Sequence, residues 1–379
     1  MKARAEWFGA IVAVDRPAML ISVNRPLARL LGVRGRARWT GPRPRHLSAP
    51  TEVHVVLSRR CRAGCRSCYV DATADGAALT FAQARTVLER LASRGVFHVA
   101  LGGGEVSDVD FLPELAVYAR TLGLVPNLTT NGLALSDAFL SGSGAFGQIN
   151  VSVDGLADAY AATRGHDSYG AAERGLRRLR AVKREVGINC VVTRHTFDRL
   201  AQVAARVARL KLRDLELLRF KPAGRGRQNF QEEDLTPDQA RALYPLVRRL
   251  ALRYRIRIKL DCSFTPLVFW HRPSLRAARF FGVVGCEGGN LLASVLPDGA
   301  MTGCSFGGPT EADIFAADGG AQAWAQGFAA FRSHAEQAVE PCRSCRYLSL
   351  CKGGCHVVAQ AAGDWWAPDP GCPSVQDAK

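Results

Sequence analysis

Residues 53–69 read Val53-His-Val-Val-Leu57-Ser-Arg-Arg-Cys61-Arg-Ala-Gly-Cys65-Arg-Ser-Cys68-Tyr69, a short apolar run followed by a C-x3-C-x2-C loop. The run has the length and β-branched content of a buried strand. Three thiolates on one short loop can converge on a single metal centre. A four-iron cubane held by only three of them keeps one iron open for chemistry. A zinc site lacking its fourth ligand is the plainer alternative. However, the spacing differs from the paired C-x2-C units of zinc ribbons and from the C-x2-C-x2-C-x3-C of bacterial ferredoxins.

Outward from this loop, strands and helices alternate. Strands are expected at 53–57, 96–101, 125–129, 148–153, 188–192 and 215–220. Helices are expected between them, such as Thr80–Arg94 with a Thr N-cap and a closing Gly95, and Ala171–Val186. Short apolar strands joined by helices imply parallel pairing through crossovers. Six such units are too few for an eight-stranded barrel, so an α/β fold closing as a partial (β/α)6 barrel is expected, with its site at the C-terminal ends of the strands. A helix at 237–254 and a strand at 255–260 end this region. Before it, residues 7–24 suggest a hairpin turning at Asp15-Arg16-Pro17, and a basic Pro/Gly-rich linker spans 34–50. The expected domains are therefore 1–50, 51–260 and a cysteine-rich 261–379.

The chain is long enough for two domains, and no stretch has the apolar length of a membrane span or the h-region of a signal peptide. A cytoplasmic location without membrane attachment is the expectation. Twelve cysteines in a reducing compartment point to metal ligation before disulfides. The net charge is +16, and residues 1–50 carry half of the excess, with ten Lys or Arg against Glu6 and Asp15. No nucleic-acid-binding signature accompanies this charge, so solvated faces or an acidic peptide partner are expected in place of nucleic acid.

The cysteine loop with Tyr69 resembles the signature of the radical S-adenosylmethionine (radical SAM) superfamily. Gly102-Gly103-Gly104-Glu105, after the second strand, is similar to the family's Gly-Gly-Glu element, which receives the methionine ammonium, with Val106 in place of the usual Pro. Thr129-Thr130-Asn131-Gly132 follows the third strand at a cofactor-lining position. Ser152-Val-Asp154-Gly155 with Arg164 resembles the element whose Ser and Arg bind the cofactor's carboxylate. The resemblance therefore implies a 4Fe-4S cluster on Cys61, Cys65 and Cys68. It also implies S-adenosylmethionine held by Tyr69, Gly103, Gly104, Glu105, Asn131, Ser152 and Arg164. Arg219-Phe-Lys-Pro-Ala-Gly224-Arg225 is a further segment that could reach adenosine or substrate. His54 and His98 fall in expected strands and read as core or structural residues.

Beyond residue 260, Cys286 and Cys304 are spaced C-x12-G-x4-C across the turn Pro297-Asp298-Gly299. Cys342, Cys345, Cys351 and Cys355 follow as C-x2-C-x5-C-x3-C, and then Cys372. This order resembles the SPASM extension of radical SAM enzymes that modify peptides and proteins. The resemblance implies two auxiliary iron-sulfur clusters of the 4Fe-4S type. One takes Cys286, Cys304 and Cys355; the other takes Cys342, Cys345, Cys351 and Cys372. For the first cluster, either Cys262 supplies the fourth ligand or one iron stays open. Cys190 reads as core, and Trp365 and Trp366 as a cover for the second cluster. Structural zinc sites are the alternative reading of this region.

Such an enzyme would form a 5'-deoxyadenosyl radical and oxidatively modify a ribosomally made peptide by a crosslink, a thioether or decarboxylation. It would use an external reductant such as flavodoxin or ferredoxin. Ser305 and Phe306 after Cys304 replace the Asp that serves as base in sulfatase-maturating relatives, which argues against formylglycine formation. No general base can be named. The basic N-terminal hairpin, or a separate leader-binding protein, is expected to capture an acidic leader. A radical enzyme acting on a small metabolite, or a non-catalytic zinc or nucleic-acid-binding protein, are the competing classes.

Overall fold

The computed structural model describes residues 2–15, 18–41, 43–183 and 185–378. Seven strands run in parallel and in sequence order: β4 (Glu52–Ser58), β5 (His98–Gly103), β6 (Val125–Thr130), β7 (Ile149–Ser152), β8 (Val186–Val192), β9 (Asp214–Arg219) and β10 (Arg257–Leu260). A separate N-terminal sheet is formed by β1 (Lys2–Glu6), β2 (Gly9–Asp15) and β3 (Ala18–Asn24). The expected hairpin is therefore two strands of three. Its turn residues Arg16 and Pro17 lie outside the described residues.

The parallel sheet does not stop at residue 260. It continues from β4 into β11 (Leu292–Val295), then antiparallel into β12 (Ala300–Thr302) and β13 (Ala312–Asp313). β11 lies parallel to β4, with Leu292 opposite Glu52 and Val295 opposite Val55. The β11–β12 hairpin turns at Gly299, whose φ is +90°, and a Cβ there would stand 2.4 Å from the Phe315 ring. Only glycine fits that corner. The cysteine-rich region is thus joined to the barrel through backbone hydrogen bonds at its first strand.

The helices between strands form where the sequence suggests. Thr80 caps Phe81–Ser93 in a reciprocal capping box with Gln83, and Thr236 does the same with Gln239 for Pro237–Tyr254. The helix expected at 171–186 runs from Tyr169 to Val182, because Val186 opens β8 and is buried in the sheet. Arg184 lies outside the described residues. One apolar core joins the strands and their helices and extends into the cysteine-rich region through Trp324, Phe328, Phe331 and Trp365.

The N-terminal sheet is pinned to the barrel. Arg4 is buried, pairs with Glu6 at 2.8 Å and donates to the carbonyls of Ala49, Pro50 and Gly95. Its guanidinium lies 5.2 Å from the Phe97 ring centroid, and Ile11, Leu47 and Phe97 form a small apolar seam. The segment read as a linker contains a helix, Arg36–Thr40, which buries Trp39. Arg34, Arg36, Arg38 and Arg43 remain exposed. No helix among the described residues is long and apolar enough to cross a membrane.

Candidate active site

The loop after β4 is folded back so that its thiols face the strand ends. Cys61 N–H donates to the Thr73 carbonyl, and Arg66 N–H to the Arg164 carbonyl. Arg225 braces the loop from the far side, donating to the carbonyls of Cys65 and Ala72. Burial pushes the Cys61 thiol up, and the neighbouring Cys65 and Cys68 push it further. Three thiolates gathered on one loop favour a cation in their midst.

The other expected cofactor residues surround this loop. Tyr69, Gly103, Gly104, Glu105, Asn131, Ser152 and Arg164 all line one cavity of about 520 Å3. Gly103 and Gly104 do something the sequence did not suggest. A Cβ on either would stand 2.2 or 2.1 Å from the carbonyl oxygens of Ser58 and Arg60, so these glycines admit the cysteine loop itself. Glu105 is buried. Its Oε1 accepts from the Ser107 N–H, the Ser107 hydroxyl and the Thr130 hydroxyl, while Oε2 accepts from Asn131 N–H at 2.7 Å. Burial raises its proton affinity, opposed by these donors. Glu105 therefore ties the loops after β5 and β6 together, and Oε2 retains a free lone-pair direction. Arg164 Nε pairs with Asp154 at 2.7 Å, and its Nη1 lies 3.7 Å from Cys65 Sγ. Asp154 in turn accepts from Val191 N–H, which fixes the arginine against the cysteine loop.

The same cavity reaches the cysteine-rich region. Cys262, Cys286, Cys304 and Cys355 line it, contributed by four separate segments. Burial pushes Cys286 up to about 12 and Cys355 up to about 11. Cys262 is raised by burial, by Asp261 and by Cys286 and Cys355, so it stands within electrostatic reach of the other thiols. Lys221 opposes the rise at Cys262, Cys304 and Cys355. Cys342, Cys345, Cys351 and Cys372 form a second group outside the cavity wall, where Cys342 is pushed up to about 12 by burial and by Cys372 and Cys345. Cys190 is fully buried in β8, as expected of a core residue.

Several wall residues escaped the sequence reading. His54 also lines the cavity, with Nε2 3.5 Å from the Tyr69 hydroxyl, and burial lowers it to about 4. The alternation of β4 gave no sign of this, because the inner face of an open barrel is itself the cavity wall. His98 remains a half-buried neighbour of Glu52. The Tyr69 and Phe306 rings lie 5.0 Å apart, and Lys221 Nζ stands 4.2 Å over Phe306 while paired with Asp261. Arg219 does not reach the cavity's ligand space as a free cation: its Nη1 is 2.7 Å from Asp369, and Asp369 also accepts from Cys355 N–H. Trp365 does not cover the second cysteine group. The turn after the 356–361 helix brings it back onto His356, ring centroids 5.5 Å apart, beside the first group.

A family model described as "Radical SAM superfamily" matches residues 55–207. The chain is 29% identical over 338 residues to the mycofactocin maturase MftC of Mycolicibacterium smegmatis, covering 86% of this chain and 84% of that one. It is 28% identical over 351 residues to the PqqA peptide cyclase of Ruegeria pomeroyi, covering 87% and 88%. In fold it is similar to Streptococcus suis SuiB, solved bound to precursor peptide SuiA, with a TM-score of 0.76, 15% identity and 98% of both chains covered. The matched family model implies S-adenosylmethionine and a 4Fe-4S cluster. The thiol loop after β4 lies within the span that matches the radical SAM family model, and it faces the strand ends.

Proposed function

We propose that the protein is a radical SAM maturase that oxidatively modifies a ribosomally synthesised peptide by a crosslink, a thioether or decarboxylation. One observation carries this reading. A single cavity is lined at one end by Cys61, Cys65 and Cys68 and at the other by Cys262, Cys286, Cys304 and Cys355, so a substrate held between them can lose a hydrogen at one end and an electron at the other. The names of two relatives, a mycofactocin maturase and a PqqA peptide cyclase, support it.

In this reading Cys61, Cys65 and Cys68 hold the cluster, and the bound cofactor pair supplies a 5'-deoxyadenosyl radical by one-electron cleavage of S-adenosylmethionine. The chain's own residues position and shield. Oε2 of Glu105 takes the methionine ammonium, and Arg164, held by Asp154, takes the carboxylate. Tyr69, Asn131 and Ser152 complete the cofactor wall. Two auxiliary clusters follow from the other thiols: one on Cys286, Cys304 and Cys355 with Cys262 as fourth ligand, the other on Cys342, Cys345, Cys351 and Cys372. The electrostatic proximity of Cys262 to Cys286 and Cys355 favours Cys262 over an open iron. Lys221 offsets the negative charge of the first set. The functional division into 1–50, 51–260 and 261–379 belongs to the same reading, as do a reducing cytoplasmic setting and an external flavodoxin- or ferredoxin-like reductant.

An acidic leader would dock on the N-terminal sheet. β3 pairs with β2 on one side only, its own Met19 and Ile21 are exposed, and Arg34, Arg36, Arg38 and Arg43 supply positive charge. The test is mass spectrometry of a short peptide encoded beside the gene, incubated anaerobically with enzyme, S-adenosylmethionine and dithionite. Loss of two hydrogens, or of carbon dioxide with two hydrogens, is expected. An unmodified peptide together with a consumed small metabolite would transfer the enzyme to the metabolite class.

A further inference from the structure

The second cysteine group stands apart from the cavity, and one of its members, Cys345, is exposed. Beside it two segments are locked together. The Tyr347 ring stacks on Phe269 at 4.7 Å with 8° between planes, and its hydroxyl donates to the Pro273 carbonyl at 2.8 Å. Gly285 N–H donates to the Leu350 carbonyl, and a Cβ on Gly285 would stand 2.0 Å from the Cys351 carbonyl oxygen, an approach that only glycine allows. The short helix Leu275–Phe280 lies on this joint and buries Ala278 in it with Tyr347 and Leu350. Its exposed residues Arg276, Arg279 and Phe280 share one face by their i, i+3, i+4 spacing. Phe280 and Phe281 are 82% and 75% exposed and meet edge to face, 5.1 Å between centroids.

Neither phenylalanine joins the apolar cluster beneath the helix, so the pair needs a cover from outside. The charge around it says of what kind. Arg272, Arg276, Arg279, Arg343 and Arg346 are all exposed on the two locked segments, where Glu340 is the one acid, and its carboxylate already accepts from the Ser344 hydroxyl. Five cations around an apolar pair oppose a second copy of the same patch and attract an acidic partner. A peptide held for modification must reach the cavity, which none of these residues lines. What the patch does adjoin is the exposed edge of the second cysteine group. We propose that it docks an acidic one-electron carrier protein of the flavin or iron–sulfur type. The inference rests on the maturase reading and gives the electron taken from the peptide its exit. The oxidised carrier gains that one electron, and no bond forms or breaks at the docking site.

Oxidised acidic flavodoxin and ferredoxin serve as probes, titrated by calorimetry into the cluster-loaded full chain. At least one of them should bind one to one at low salt and lose about tenfold or more in affinity as salt rises beyond the screening range. The Arg276→Glu/Arg279→Glu and Phe280→Ser/Phe281→Ser variants should each weaken binding by about tenfold or more. Iron content and dithionite-driven 5'-deoxyadenosine formation should stay at the wild-type level in both. Arg209→Glu/Arg213→Glu, which reverses exposed charge on the barrel instead, should bind as wild type does. No binding of either probe, undiminished binding in both patch variants, or an equal loss in the barrel variant would overturn the proposal. So would a wild-type dimer that the Phe280→Ser/Phe281→Ser variant cannot form, or a peptide affinity that falls in that variant, since the cover would then be a second copy or the substrate. Peptide modification with dithionite is measured separately. Its persistence without carrier binding leaves the maturase reading standing, and carrier binding at the patch without peptide modification leaves the docking site standing.

Discussion

The two ends of the cavity are built in opposite ways. Cys61, Cys65 and Cys68 sit on one loop of eight residues, positioned by local hydrogen bonds and by the close approach of Gly103 and Gly104. Cys262, Cys286, Cys304 and Cys355 come from the segment after β10, the approach to β11, the exit of β12 and the start of the 356–361 helix. They meet only because β11 pairs with β4 and because Arg219 on β9 grips Asp369. A local site tolerates changes elsewhere in the fold, whereas an assembled site inherits every weakness of the contacts that bring it together.

That contrast can be broken at several points, beginning where the effect is largest. Cys286→Ala should remove the first auxiliary cluster, with peptide modification falling by more than the roughly 10–100-fold that loss of an outer-sphere partner produces, while S-adenosylmethionine cleavage continues. Iron analysis with paired assays of 5'-deoxyadenosine and modified peptide checks it; loss of both activities would mean the two ends are not independent. Cys262→Ala should change the EPR signal of the reduced auxiliary centre, and Cys190→Ala should not, since Cys190 lies in the core of β8. Identical spectra from wild type and Cys262→Ala would leave the first cluster with three cysteines.

Arg219→Met leaves Asp369, which is fully buried, without its cation. Breaking a buried pair in this way costs about 3–5 kcal/mol, and denaturant unfolding should show it along with weaker retention of auxiliary iron. Thr80→Ala removes one side of a capping box on the barrel surface, worth about 1 kcal/mol. Its iron content should match wild type, because nothing in the assembled site depends on that cap.

Most of the barrel was legible because each strand is a short apolar run followed by a helix with a visible start, such as Thr80 or Thr236. The extension of the sheet was not. Neither β10 nor β11 announces its partner, since strand pairing is decided by tertiary contacts and not by the pattern of Arg257–Leu260 or Leu292–Val295. The cysteine loop was readable from spacing alone, and Glu105 and Arg164 from motifs beside it. Their internal partners, Thr130 and Asp154, were hidden because a motif identifies a residue and says nothing of what holds it. His54 looked like core from its alternation, and Trp365 looked like a cover for the nearer cysteines in sequence. Both readings met one limit: the face that lines a cavity is as apolar in pattern as the face that packs, and the chain reverses after residue 361.

The cavity's chemistry depends first on the loop after β4. Anaerobically reconstituted protein treated with dithionite and S-adenosylmethionine should release 5'-deoxyadenosine, and the Cys61→Ala/Cys65→Ala/Cys68→Ala protein should release none. Equal release from both proteins, or none from the wild type, would contradict the assignment of that loop as the radical-generating end.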